Sequence, residues 1–140
     1  MKREPLKTLL RIRQATLDDA QKSVAEAYRA EQDALRLADE AGNALAHEMR
    51  LAMDLGGSDD AVETFARWLP FGRRALKQAH DAQRDATAKL DHARAVLTLA
   101  RSGVRTVETL SEQRRDEQRI QDGRRDQRAL DEAGRHRTTS

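Results

Sequence analysis

One pattern limits what this chain can fold into: a bulky residue every seven positions, with a small one three positions later. In the second half, Leu69, Leu76, Gln83, Leu90, Leu97, Val104 and Ser111 make the first row, and Gly72, Ala79, Ala86, Ala93, Ala100, Val107 and Arg114 make the second. The first half repeats the scheme. Leu10, Leu17, Val24, Glu31, Ala38, Leu45 and Ala52 stand beside Arg13, Ala20, Ala27, Ala34 and Ala41. A seven-residue period keeps an apolar stripe turned toward a partner helix. Large facing small lets two antiparallel helices mesh closely. No run of alternating β-branched residues competes for a strand. The predicted fold is all-α: a long antiparallel two-helix coiled-coil hairpin whose second helix is the longer.

The reversal is written in "DLGGSDD". Gly56 and Gly57 can take the left-handed backbone that ends a helix, and Ser58 or Asp59 can accept hydrogen bonds from the free amides of the next. Pro5 suits a first helical turn, where its missing amide proton costs nothing. The single domain, residues 1–140, therefore divides into a helix from about Pro5 to Met53, a turn over 54–58, a helix from Asp59 to about Ala133, and a disordered tail over 136–140. Each bulky row carries one polar residue between apolar ones, Glu31 and Gln83, each 26 residues from Gly57. Folding back at that glycine brings them to one level, where a polar layer fixes register at some cost in stability.

The arms are unequal, so the second is predicted to run past the first from near Thr109 to Ala133. Leu110, Ile120 and Leu130 are the only bulky apolar residues there, too few to hold a partner helix within the chain. Ion pairs Arg128–Glu132 and Asp131–Arg135 offer a few tenths of a kcal/mol each. Gly123 and Gly134 each weaken the helix by up to about 1 kcal/mol. This end is expected to fray alone and to order on a partner.

Composition narrows the function. Charged residues make up 36% of the chain, yet the net charge is only +2 because both signs interleave; a nucleic-acid arm would be a block of one sign. With no cysteine there is no disulfide or thiolate chemistry, which fits a reducing cytoplasm. No apolar run approaches the ~18 residues of a membrane span, and "MKREPLKTLLRIRQ" lacks the apolar core and cleavage site of a secretory signal. His47, His80, His92 and His136 have no metal-site spacing with carboxylates, and "LGGSDD" lacks the lysine of a phosphate loop. A two-helix rod offers no concave pocket to tune a pKa. No catalytic residue, cofactor or metal is expected, and the chain is read as not an enzyme.

Three of the four aromatic residues fall in "FARWLPFGRR", residues 65–74. Phe65 and Leu69 lie on the seam; Trp68 and Phe71 flank it and are expected to be the exposed members. Pro70 removes an amide and is expected to kink or restart the helix. Two readings stay open and can share residues: a cap sealing the hairpin tip against Met49 and Met53, or a docking patch, since aromatics anchor interfaces out of proportion to their number.

With these residues in view, the chain resembles the flagellar FliJ proteins of the type III export apparatus and, more distantly, the stalk proteins of virulence injectisomes. The likeness rests on "PLKTLLRIRQATLDDA", on "VETFARWLPFGRRAL" near the start of the second helix, and on a C-terminal E-x-L (Glu108, Leu110) followed by charged repeats and a terminal L-D-E-A (Leu130 to Ala133). Pro70 and the overhang glycines depart from the family pattern. The resemblance implies a cytoplasmic stalk, peripheral at the inner membrane only through partner proteins. It would insert into a hexameric export ATPase, link that ring to the export gate and serve export-chaperone recycling. It implies gate contact through Phe65, Trp68, Leu69 and Phe71, and ring contact through Leu6, Leu10, Leu110, Arg114, Ile120 and Arg124. Nucleic acid is not an expected partner. The competing class is a generic oligomerising or scaffolding coiled coil.

Overall fold

The computed structural model describes residues 4–54 and 58–139. Two helices account for them, α1 over Glu4–Asp54 and α2 over Asp59–Thr139. They pack against each other, and no strand occurs among the described residues. The expected turn glycines, Gly56 and Gly57, lie outside the described residues. The restart is nonetheless visible: the backbone amide of Ala61 donates to Ser58 Oγ at 3.3 Å, and Ser58 O accepts from Ala61 and Val62. Ser58 is thus the N-cap, and Asp59 and Asp60 in the first turn suit the positive end of the helix dipole.

Contacts divide the chain into two compact units, one holding residues 18–98 and the other residues 1–17 and 99–140. In the first, Leu76 Cδ1 reaches within 3.9 Å of where a Cβ on Gly42 would stand, while Ala27 and Ala30 share a groove with Ala82 and Ala86. Numbers rise along one helix as they fall along the other, so the pair is antiparallel. Its buried core is Ala20, Ala34, Ala38 and Leu90. Leu90 is 1% exposed, which is worth about 2 kcal/mol of apolar burial.

The second unit repeats the arrangement. Arg13 lies against Gly103, whose Cβ, if present, would be 3.4 Å from Arg13 Cδ. Leu6, Lys7 and Leu10 face residues 108–115. Ala100, Val104 and Val107 are buried.

Both predicted seams hold. Every residue of the two bulky rows is buried or half-buried, and the small rows are exposed only at Arg13 and Arg114. Glycine at position 103 explains the first exception. It leaves room for the arginine stem to cross the partner helix while the guanidinium stays in water.

Three expectations need correction. α2 does not stop at Ala133; it continues to Thr139, through most of the tail expected to be disordered. His136 and Arg137 sit in its last turn, where the positive charge of Arg137 suits the negative helix end. The Thr138 hydroxyl donates to the Gly134 and Arg135 carbonyls. Nor does α2 restart at Pro70, which lies within the continuous helix. The one carbonyl left without its helical donor belongs to Ala66, an exposed residue, so water can take up the lost hydrogen bond. Finally, the Arg128–Glu132 ion pair does not form; Gln127 donates to Asp131 instead, at 3.3 Å.

The exposed faces are stitched locally. Arg36 bridges Asp33 and Glu40, Arg67 pairs with Glu63, Arg84 with Asp81 and Arg119 with Asp116. All are one-turn pairs in water, each worth at most a few tenths of a kcal/mol. Threonines 16, 64, 98, 106 and 109 return their hydroxyl protons to the carbonyl four residues back, which satisfies them inside a helix.

Candidate functional site

Two places along the helices gather the residues singled out in the sequence. The first is the aromatic segment near the start of α2. Phe65 and Leu69 are half-buried, as their seam positions require. Trp68, expected to be exposed, is half-buried too. Its ring fills the space beside Gly72: a Cβ there would lie 2.5 Å from two indole carbons. A missing side chain one turn on provides the notch, and Gly72 is buried as a result. Phe65 and Trp68 stack at a tilt, with centroids 6.3 Å apart and planes at 30°. Phe71 alone faces out, 66% exposed, with the Arg74 guanidinium carbon 5.7 Å from its ring centre. That is within cation–π reach. Met53 is 73% exposed and Met49 44%, so the aromatics do not close over Met53. The segment is a packed pair, Phe65 and Trp68, that leaves one aromatic ring to solvent.

The second place is where α1 begins. Leu6, Leu10 and Arg114 come together there in a groove of about 300 Å³, with Lys7, Glu108, Ser111, Glu112 and Arg115. The half-buried leucines supply its apolar side; cations and carboxylates of both signs form its rim. Leu110, Ile120 and Arg124 are not part of it. From Glu112 to Thr138 every side chain of α2 is exposed, including Ile120 at 56% and Leu130 at 68%.

Glu31 and Gln83 are both half-buried. The shared groove of Ala27 and Ala30 with Ala82 and Ala86 puts them at one level, although no hydrogen bond joins them.

Sequence reasoning missed Lys7, Glu112 and Arg115 at the groove. The available signal was Ser111, the last seam position, since residues one and four beyond it flank the first turn of α1. It also missed Gly72 as the seat of Trp68, legible in the four-residue spacing of a large ring and a glycine. Among the described residues no group of three His, Cys, Asp or Glu side chains could hold a metal ion, and no helix is long and apolar enough to cross a membrane.

Along its length the chain matches one family model, that of the flagellar FliJ protein, over residues 1–139. The chain belongs to the FliJ family. No curated protein and no solved structure matches it. FliJ proteins are non-catalytic structural components of flagellar export, and this FliJ-family chain is accordingly a flagellar, export-related protein.

Proposed function

We propose that this FliJ-family chain is the cytoplasmic stalk of the flagellar export apparatus: it inserts into the hexameric export ATPase, links that ring to the membrane export gate, and takes part in recycling export chaperones. The observation that carries the reading is the run from Glu112 to Thr138, a helix whose every side chain is exposed. An isolated helix stays marginal in water, most of its stability in proteins coming from packing. Here it is instead a surface available on all sides, suited to a ring that surrounds it. Leu6, Leu10 and Arg114 in their groove, with Leu110, Ile120 and Arg124 on the bare helix, would contact the ring. Phe71, the exposed ring of the segment, would contact the gate, with Phe65, Trp68 and Leu69 beside it. Glu31 and Gln83 would hold the register between the two ends. ATP hydrolysis belongs to the ring, and membrane attachment to the partners.

The test is reconstitution with the purified export ATPase. The full chain should co-migrate with the hexamer and raise its turnover, and a chain truncated after Arg115, which keeps the groove of Leu6 and Leu10, should keep its helical pairing and lose that stimulation. Stimulation that survives truncation would remove the bare helix from the ring contact. In the same preparation Phe71→Ala should weaken binding to the gate's cytoplasmic domain and leave ATPase stimulation unchanged.

A further inference from the structure

The exposed surface of α2 beyond residue 98 is not uniform around its circumference. Starting at Leu99 and stepping alternately three and four residues, one reaches Ser102, Thr106, Thr109, Gln113 and so on to Ile120, Leu130 and Gly134. Every position on this row is uncharged except Asp116, although Arg, Asp and Glu dominate the residues between. Steps of three and four define a coiled-coil seam. This one is a second seam, on the side of α2 opposite the Ala100, Val104 and Val107 core, and every side chain on it is exposed. Leu99 is 73% exposed, Ile120 56% and Leu130 68%.

The charges beside the row say what would cover it. We infer that the occupant is a second copy of this chain, laid antiparallel. In an antiparallel pair, the residue just before each of Thr106, Gln113, Ile120 and Gln127 meets its counterpart from the other helix. These flanking residues are Arg105, Glu112, Arg119 and Asp126. The register that places Leu99 beside Leu130 of the second copy sets Glu112 beside Arg119 and Arg105 beside Asp126. The two-fold axis repeats each attraction. Sliding one helix by a heptad in either direction brings Glu112 against a like charge and separates the leucines. Parallel pairing fails on the opposite flank, because it sets Glu112 against Glu117, Arg119 against Arg124 and Asp126 against Asp131. Like charges so placed destabilise a helix pair. Apolar matching and charge matching thus select one orientation and one register independently. The small and polar residues that fill most of the row make the association reversible rather than permanent.

The inference does not rest on the proposed role in export, but the pair would cover Ile120, which that role sets against the ring, so one chain does not do both at once; its test needs only the purified full chain. Sedimentation over a range of concentrations should show a reversible monomer–dimer equilibrium that weakens with added salt, since the flanking pairs are exposed. Arg119→Glu creates a like-charge contact twice over and should weaken dimerisation about tenfold; adding Glu112→Arg in the same chain should restore it. The chain has no native cysteine, so orientation can be read by disulfide trapping. Chains carrying Thr106→Cys should crosslink to chains carrying Gly123→Cys, and neither variant should crosslink to itself. A single monomeric species at all concentrations, unchanged association in Arg119→Glu, or self-crosslinking of Thr106→Cys would each overturn the inference.

Discussion

Within α2, residues 59–111 and 112–138 are built from the same few residue types, yet only the first stretch has a covered side. Up to Ser111 each seam residue of α2 is buried or half-buried; beyond it every side chain is exposed. Both stretches are charged, contain glycine and form one continuous helix. What separates them is the chemistry of two positions in seven. Where Leu90, Leu97 and Val104 stand in the first row, the bare stretch continues with Gln118, Arg125 and Glu132; where Ala100 and Val107 stand in the second, it continues with Gln121, Arg128 and Arg135. Helix formation tolerates either set. Burial against α1 tolerates only the first, because a charged side chain taken out of water must be paired. α1 begins where the paired chemistry ends, at the groove of Leu6 and Leu10.

Substitutions can break this contrast. The largest effect should come from Leu90→Ala, which empties a fully buried site and should cost about 3 kcal/mol. The matching change in the bare stretch, Ile120→Ala, should stay within about 0.5 kcal/mol. Urea denaturation of the two variants checks this; equal losses would mean that the bare helix is packed after all.

A smaller contrast lies within the aromatic segment. Trp68→Ala removes a half-buried ring from the Gly72 notch and should lower stability by about 2 kcal/mol, whereas Phe71→Ala should change it by less than about 0.5 kcal/mol. Thermal melts would reveal the reverse ordering if Phe71 were the structural member of the pair.

The smallest contrast, and one of opposite signs, concerns two glycines. Gly72→Ala drives a Cβ into the Trp68 ring and should destabilise by about 1 kcal/mol. Gly123→Ala meets nothing within 4 Å and should stabilise the bare helix by up to about 1 kcal/mol through propensity alone. Helical content by circular dichroism on warming reads both, and a gain at position 72 would show that the indole does not depend on the notch.

Much of the architecture was legible because periodicity is a one-dimensional signal. The seven-residue rows identified the core stripe of each helix, including the half-buried Glu31 and Gln83. The serine after the diglycine marked the start of α2. What failed to read through were features set by a neighbour in space. Trp68 differs from Phe71 in the sequence only by the glycine four positions on, and spacing alone does not say that the ring uses it. Its burial depends on the empty surface of Gly72, which the sequence offers and the packed helix uses. Pro70 looked like a break because the lost hydrogen bond is a local fact; the exposed carbonyl of Ala66, which water can satisfy, is a fact of the folded surface. The end of α2 was misplaced for a related reason. No residue near Ala133 stops a helix outright, and the favourable charge of Arg137 acts only once the helix has reached it.

By itself, the amino-acid sequence determined that this FliJ-family chain forms two long helices, one longer than the other, with alternating large and small residues along one stripe of each. Hydrophobic spacing and backbone propensity act along the chain and require no knowledge of what lies across from it. Only the tertiary structure decided which aromatic ring faces water, that Arg13 crosses α1's partner over Gly103, and that Leu6 and Leu10 share a groove with Arg114 and Arg115. Those outcomes depend on distances between residues far apart in sequence, where close packing admits a ring or a side-chain stem only beside an atom that is missing.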